Sequence, residues 1–201
     1  MKIKSLMVHD PITIAPKTSI QEAIEIMKLN SIRHLPVVGS DNFLCGFVTL
    51  ANLRQGLIPS MLTGISLKDL MIKDPFYLHP DDDIEVAAQI IYKHKISGMP
   101  VISNGKVVGI ITETDILRTF IDMMGMINAT SRVDVVMGNE PRMFQKASKI
   151  INDNGGDILT VSMTAEESSS RTYYFRLSSC KTEPIKKALE MEGFKVLTSL
   201  D

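Results

Sequence analysis

Tryptophan is absent from this chain, and cysteine occurs twice, at Cys45 and Cys180. Two cysteines build neither a disulfide framework nor a thiolate metal cluster, and they suit a reducing compartment. No apolar run is long enough for a signal sequence or a membrane span, so a soluble, cytoplasmic protein without a membrane partner is expected. Excess charge is missing too. The formal net charge is −1, with no basic surplus to attract nucleic acid and no block of like charge. What is plentiful is methionine, 13 residues among 201, so adaptable thioethers are expected in the core. A length of 201 residues allows one to three small domains.

The strongest signal is a repeat. Displaced by 64 residues, Leu6-Met7-Val8-His9-Asp10-Pro11 falls on Leu70-Met71-Ile72-Lys73-Asp74-Pro75. Leu35-Pro36-Val37-Val38 falls on Met99-Pro100-Val101-Ile102. One residue is then lost in a turn, and Gly46-Phe47-Val48-Thr49 meets Gly109-Ile110-Ile111-Thr112. Each copy reads as a short extended segment (residues 12–15 or 76–79), a helix, a hairpin of two apolar strands and a second helix. Thr18 and Asp82 are the expected N-caps, with Gln21 and Glu85 at N3. The apolar stripes are Ile20, Ala23, Ile24, Met27 and Ile84, Ala87, Ala88, Ile91, both at i, i+3, i+4, i+7. The turns fall at residues 39–42 and at Ser103-Asn104-Gly105-Lys106, where Asn-Gly is a strong hairpin signal. The closing helices are expected at residues 50–57 and 113–124.

The stretch from Gly109 to Asp115 concentrates the chemistry. A buried strand enters a helix at Thr112, and the first turn of a helix offers free N–H groups and partial positive charge to an anion. Asp115, one turn in, has the reach to accept hydrogen bonds from a ribose diol. The same two residues also fit an N-cap and its N3 partner, a variant of the capping box. Both readings stay open from the residues alone.

The β-α-β-β-α unit, its glycine-led strand entering a Thr-x-x-Asp helix, and its tandem copy resemble a cystathionine-β-synthase (CBS) domain pair over roughly residues 1–127. The resemblance implies a pseudo-twofold module with two clefts that bind AMP, ATP or S-adenosylmethionine, and modules that associate in pairs. Each cleft takes its Asp position from one copy and the residues before the Leu-Pro or Met-Pro strand from the other. Cleft one would combine Thr112, Asp115 and Ile110 with Ile12, Ile32, Arg33 and His34. Arg33 would neutralise a phosphate, and His34 would add a donor. Cleft two would combine Thr49 and Asn52 with Ser97 and Gly98, so it lacks the diol carboxylate and the Arg-His pair. One competent nucleotide cleft per chain is expected. Arg33 equally suits a plain surface arginine. The run Asp81-Asp82-Asp83 looks like a cation patch, but it sits at a helix start, where carboxylates complement the dipole. His9, His79 and His94 have no partners at ligand spacing, so no metal is expected. Cys45 is expected to be buried and inert.

After a short linker at residues 125–129 the chain reads β-α-β-β-α-β. Strands are expected at 132–137, 157–163, 171–177 and 194–198, helices at 141–154 and 183–192, and a polar turn at 166–170. Two helices on one face of a four-stranded antiparallel sheet is the ferredoxin-like arrangement. In length and order this part resembles an ACT domain, a module that binds amino acids between copies, and the whole resembles the acetoin-utilisation regulatory proteins. The ACT pattern has an Asp-x-Pro-Gly-like loop after the first strand. Here Met137-Gly138-Asn139-Glu140-Pro141 has the glycine and proline in another order, so a purely dimerising role is an equal reading.

The expected class is therefore α+β, with repeats at 1–62 and 63–127 and an ACT-like domain at 128–201. The expected function is a regulatory sensor that binds AMP, ADP, ATP or S-adenosylmethionine in one cleft and acts as a homodimer on a regulated partner. No nucleophile–base pair or phosphate loop points to an enzyme. A dimerising scaffold with vestigial clefts and an amino-acid-responsive regulator are the alternatives.

Overall fold

The computed structural model describes residues 1–125, 131–138, 142–164 and 170–201, and their side chains except at residues 57–63. These residues form two compact units, Met1–Leu117 and Arg118–Asp201. The first contains β1 (Val8–His9), α1 (Ile20–Leu29), β2 (His34–Val38), β3 (Leu44–Thr49), α2 (Leu50–Thr63), α3 (Leu67–Leu70), α4 (Ile84–His94), β4 (Gly98–Ser103) and β5 (Lys106–Thr112). Helix α5 (Glu113–Met123) runs across the boundary.

The hairpins β2–β3 and β4–β5 are antiparallel, as the apolar runs require. In the second, Ser103 pairs with Lys106, and Asn104 and Gly105 both have positive φ, the backbone of a type I′ turn. The extended segments expected at 12–15 and 76–79 shrink to one parallel bridge each, Ile14 with Val37 and Leu78 with Val101. Each is held by two backbone hydrogen bonds, for example Ile14 N–H to Pro36 O and Val38 N–H to Ile14 O. The expected N-caps are displaced by one residue. Ser19, not Thr18, caps α1 by accepting from Glu22 N–H at 3.1 Å, and Asp83, not Asp82, takes the N-cap position of α4. Ser19-x-x-Glu22 fits the capping-box sequence as well as Thr18-x-x-Gln21 does.

The segment before each repeat crosses to the other repeat. Strand β1 pairs with β5, Val8 opposite Ile110 and His9 opposite Gly109, and its equivalent Ile72 pairs with Phe47. Ile3 and Met7 are buried in one core with Leu78, Ile84, Met99 and Ile111. Their counterparts Leu67 and Met71 pack with Ile14, Ile20, Leu35 and Val48. The crossing explains why the second strand of each hairpin carries a glycine, Gly46 or Gly109, where the other segment lies against it. A Cβ on Gly109 would collide with Met7 Sδ, and one on Gly46 would lie 2.9 Å from Ile72 O. The acidic run serves the same crossing. Lys4 Nζ is 2.8 Å from Asp81, Lys2 Nζ is 3.0 Å from Asp83, and Asp82 accepts from His79 N–H. The hydrogen bond from Lys4 holds the Asp81 carboxyl below its ordinary value, and that from Lys2 does the same for Asp83. Among the described residues, no group of three or more His, Cys, Asp or Glu could hold a metal ion.

The second unit follows the βαββαβ order with β6 (Ser131–Gly138), α6 (Met143–Asp153), β7 (Ile158–Thr164), β8 (Ser170–Leu177), α7 (Glu183–Met191) and β9 (Lys195–Leu200). The sheet order is β7-β8-β6-β9, all antiparallel, which is the ferredoxin-like fold. Val133, Val135, Met137, Phe175 and Leu177 bury one sheet face against Ala147 and Ile151 of α6 and Ile185 and Leu189 of α7. Asp201 Oδ1 accepts from Thr182 N–H and Oγ1, both at 2.7 Å, at the start of α7. Asn139, Glu140 and Pro141, the turn at 166–169 and most of the linker lie outside the described residues. Cys45 is half-buried rather than buried, with its Sγ 3.7 Å from Phe43 O. No helix among the described residues is long and apolar enough to cross a membrane.

Candidate functional site

Strand β5 delivers Thr112 to the start of α5, where Thr112 and Asp115 form a capping box. Thr112 N–H and Oγ1–H donate to Asp115 Oδ2 at 2.8 and 2.6 Å, and Asp115 N–H points back to Thr112 Oγ1 at 3.4 Å. The first repeat copies this. Thr49 Oγ1–H donates to Asn52 Oδ1, and Asn52 N–H donates to Thr49 Oγ1 at 3.2 Å. The capping reading is thus what these residues do here. It also fixes the carboxylate at the mouth of a hollow.

That hollow, of about 370 Å3, is lined by Ile12, Ile32, Arg33, His34, Ile110, Thr112 and Asp115. All seven residues assigned to cleft one from the sequence therefore share one cavity, drawn from both repeats. Val8, Asp10, Pro11, Ser31 and Thr114 complete the wall and were not anticipated. Arg33 Nη2 lies 3.6 Å from Glu113 Oε1, and both side chains are well exposed. Such a pair adds little to stability and holds the guanidinium at the rim. His34 is 6 % exposed. Its ring stacks on Phe47 at 5.8 Å, and its Nε2 is hydrogen-bonded to Ser97 Oγ at 2.6 Å. Burial, then the neighbouring Arg33, lowers the His34 pKa against the opposing pull of Glu113 and Asp115. The ring is therefore held toward the neutral form.

A second hollow of about 370 Å3 contains Thr49, Asn52, Ser97 and Gly98, the four residues assigned to cleft two. Residue by residue its wall is the repeat counterpart of the first. Phe76 stands where cleft one has Ile12, and Phe47 where it has Ile110. Lys95 replaces Ser31 and gives this cleft a cation, which the sequence reading left out. Sliding the repeat by 64 residues would have found it. Lys95 has φ 54° at the end of α4, and its Nζ sits 4.4 Å from the Tyr92 ring centroid.

Between the clefts, Arg33, His34, Thr49, Arg54 and Ser97 border a depression of about 240 Å3. Arg54 makes no ion pair among the described residues. A wider hollow of about 560 Å3 between residues 16–21 and 64–68 brings together none of the Thr-Asp, arginine and histidine groups of cleft one.

Two hollows built from exchanged halves of a duplicated fold define a CBS pair. The chain matches the CBS domain family over residues 3–58 and 67–122, more than half its length, and it belongs to that family. It is similar to a crystallised CBS domain pair in complex with 5′-methylthioadenosine and S-adenosyl-L-methionine, at 30 % identity and TM-score 0.56, covering 60 % of this chain and 95 % of that one. It is also similar to a protein assigned to acetoin utilization (AcuB) from Vibrio cholerae, at 27 % identity and TM-score 0.57, covering 63 % of this chain and 95 % of that one. Among curated proteins it is 35 % identical over 117 residues to a homoserine O-acetyltransferase of Methanohalobium evestigatum, covering 58 % of this chain. It spans only 23 % of that relative's length.

Proposed function

We propose that this chain is a non-catalytic regulatory protein that takes an adenosine nucleotide or adenosyl ligand (AMP, ADP, ATP or S-adenosylmethionine) in cleft one. The observation that carries the reading is the meeting of Thr112 and Asp115 from one repeat with Ile12, Arg33 and His34 from the other around a single cavity. Its volume falls within the roughly 300–1,000 Å3 of small-molecule sites. Asp115 receives the ribose diol while still holding the Thr112 cap, and the apolar walls Ile12, Ile32 and Ile110 flank the base. Arg33 turns from Glu113 to a phosphate, a charge-assisted contact. Arg54, across the central depression, reaches a longer phosphate chain. The adenosyl ligands of the 30 %-identical CBS pair support the same class of occupant.

Regulation requires only that the ligand prefer one arrangement of the protein. A coupling of about 1–3 kcal/mol is enough to change a partner's affinity 5- to 150-fold. The ACT-like unit, residues 128–201 in the proposed division, passes the change on through a homodimer. A scaffold with vestigial clefts is the second reading, because Asp115 already has a purely structural task in the cap.

Thermal melts with AMP, ADP, ATP, S-adenosylmethionine and NAD separate the two. A binder's midpoint rises with ligand concentration, by about 2.7 kcal/mol of stabilisation at one hundred times Kd. A scaffold's midpoint stays put with every adenosyl compound.

A further inference from the structure

We propose that the sheet face turned away from α6 and α7 in the second unit carries a binding site for a small carboxylate that lacks an amino group. Successive residues of a strand point to opposite faces. Since Val133, Val135, Phe175 and Leu177 face the helices, Arg132, Asp134, Tyr174 and Arg176 face the other way.

Register then places Arg132 directly opposite Arg176 on neighbouring strands. Like charges directly opposite each other repel. Arg132 is neutralised. Its Nε donates to Asp134 Oδ1 at 2.7 Å and its Nη2 to Oδ2 at 2.6 Å, with the guanidinium 5.3 Å from the Tyr174 ring centroid. This fork occupies both oxygens of a carboxylate that is 3 % exposed. The Arg176 side chain makes no ion pair or hydrogen bond among the described residues, although its backbone belongs to the sheet. Two guanidinium groups against one carboxylate leave a single positive charge, and it faces a cavity of about 170 Å3.

The lining names the class of occupant. Ser162, Thr164 and Tyr174 bring hydroxyl groups to the same cavity as the two arginines, a donor set for an oxyanion. Met124 and Met163 form apolar walls for a short aliphatic tail. The volume is well below the roughly 300–1,000 Å3 of pockets that take drug-sized ligands. An ammonium group finds no carboxylate to receive it, because Asp134 is committed to Arg132. The site therefore takes propionate or butyrate in preference to alanine.

The test is titration calorimetry of the full chain with propionate, butyrate, alanine and inorganic phosphate at constant ionic strength. Propionate or butyrate should bind with a Kd of the order of millimolar, at least tenfold tighter than alanine or phosphate. Arg176→Met should weaken binding at least tenfold, and Arg176→Lys should recover part of it. Unliganded Arg176→Met should melt no lower than the parent, since it removes a like-charged neighbour, so a lost signal would not reflect unfolding. Absence of carboxylate saturation by about 100 mM overturns the proposal. So does an affinity unchanged by Arg176→Met, equal binding of alanine, or a preference for phosphate. A dimer that Arg176→Met dissociates, with no carboxylate bound to either form, also overturns it.

Discussion

The two clefts share a backbone and differ in chemistry. Thr112 and Thr49 start their helices in the same way, and each is capped by the residue three positions on, Asp115 or Asn52. Around these matched caps the side chains part company. Cleft one has Arg33, His34 and Asp115 between aliphatic walls, whereas cleft two has Ser97, Gly98, Lys95 and Asn52 beside Phe47 and Phe76, with Asp10 and Asp74 at matching positions in both. Duplication fixes where groups can stand, and substitution decides what they can hold. An amide can cap a helix as a carboxylate does, so Asn52 keeps the fold while giving up the charge that strengthens hydrogen bonds from a diol. Hydrogen bonds to a charged group contribute about 1.5–3 kcal/mol against about 1 kcal/mol for neutral ones.

The comparison breaks at once if the two scaffolds are not equivalent. Ile3 and Leu67 occupy matching positions in the two crossed cores and are buried at 0 % and 1 % exposure. Ile3→Ala and Leu67→Ala should each cost about 2–5 kcal/mol in chemical denaturation. A near-zero cost for one of them would show that its repeat does not depend on the crossing.

The next largest effect falls on binding. Asp115→Ala should weaken an adenosyl ligand about 10- to 100-fold, equivalent to about 1.4–2.7 kcal/mol, while Asn52→Ala should change it less than about 3-fold. Both variants lose the N3 partner of a capping box and keep its threonine, so their melting points should fall together. A shared loss of stability with an unshared loss of affinity separates the two tasks of Asp115. Asn52→Asp works in the opposite direction. Beside Lys95 it should improve cleft two about tenfold for an adenosine nucleotide, seen as a second site in the titration.

The smallest effect concerns pH. The His34 pKa is lowered from 6.5, first by burial and then by Arg33. The unfolded chain then binds the proton more readily, so stability should fall as pH drops below about 6.5 toward the depressed folded value, and be fully present above it. His34→Gln can keep a hydrogen bond to Ser97 and should flatten that acid limb in melts between pH 7 and 5. An unchanged slope would place the titrating group elsewhere.

Much of this was legible in the sequence because the repeat supplies its own alignment. Apolar stripes such as Ile20, Ala23 and Met27 became core, and the Asn104-Gly105 turn formed as its residue types demand. The groupings Arg33 with Asp115 and Asn52 with Ser97 came from family resemblance, and each falls within one hollow. The crossing of residues 3–9 was not legible. A two-residue strand leaves no periodic signature, and its cause appears only in space, as Met7 pressed against Gly109. In the sequence the Asp81–Asp83 run reads as a complement to the helix dipole, because its partners Lys2 and Lys4 are some 80 residues away. Arg132, Asp134 and Arg176 carried no motif at all. Only strand register makes neighbours of them.

The most direct measurement is the stoichiometry of adenosyl binding by calorimetry in the parent chain, Asp115→Ala and Asn52→Ala. The account predicts one tight site per chain, lost in the first variant and kept in the second. Two equal sites, or equal losses from both substitutions, would contradict it.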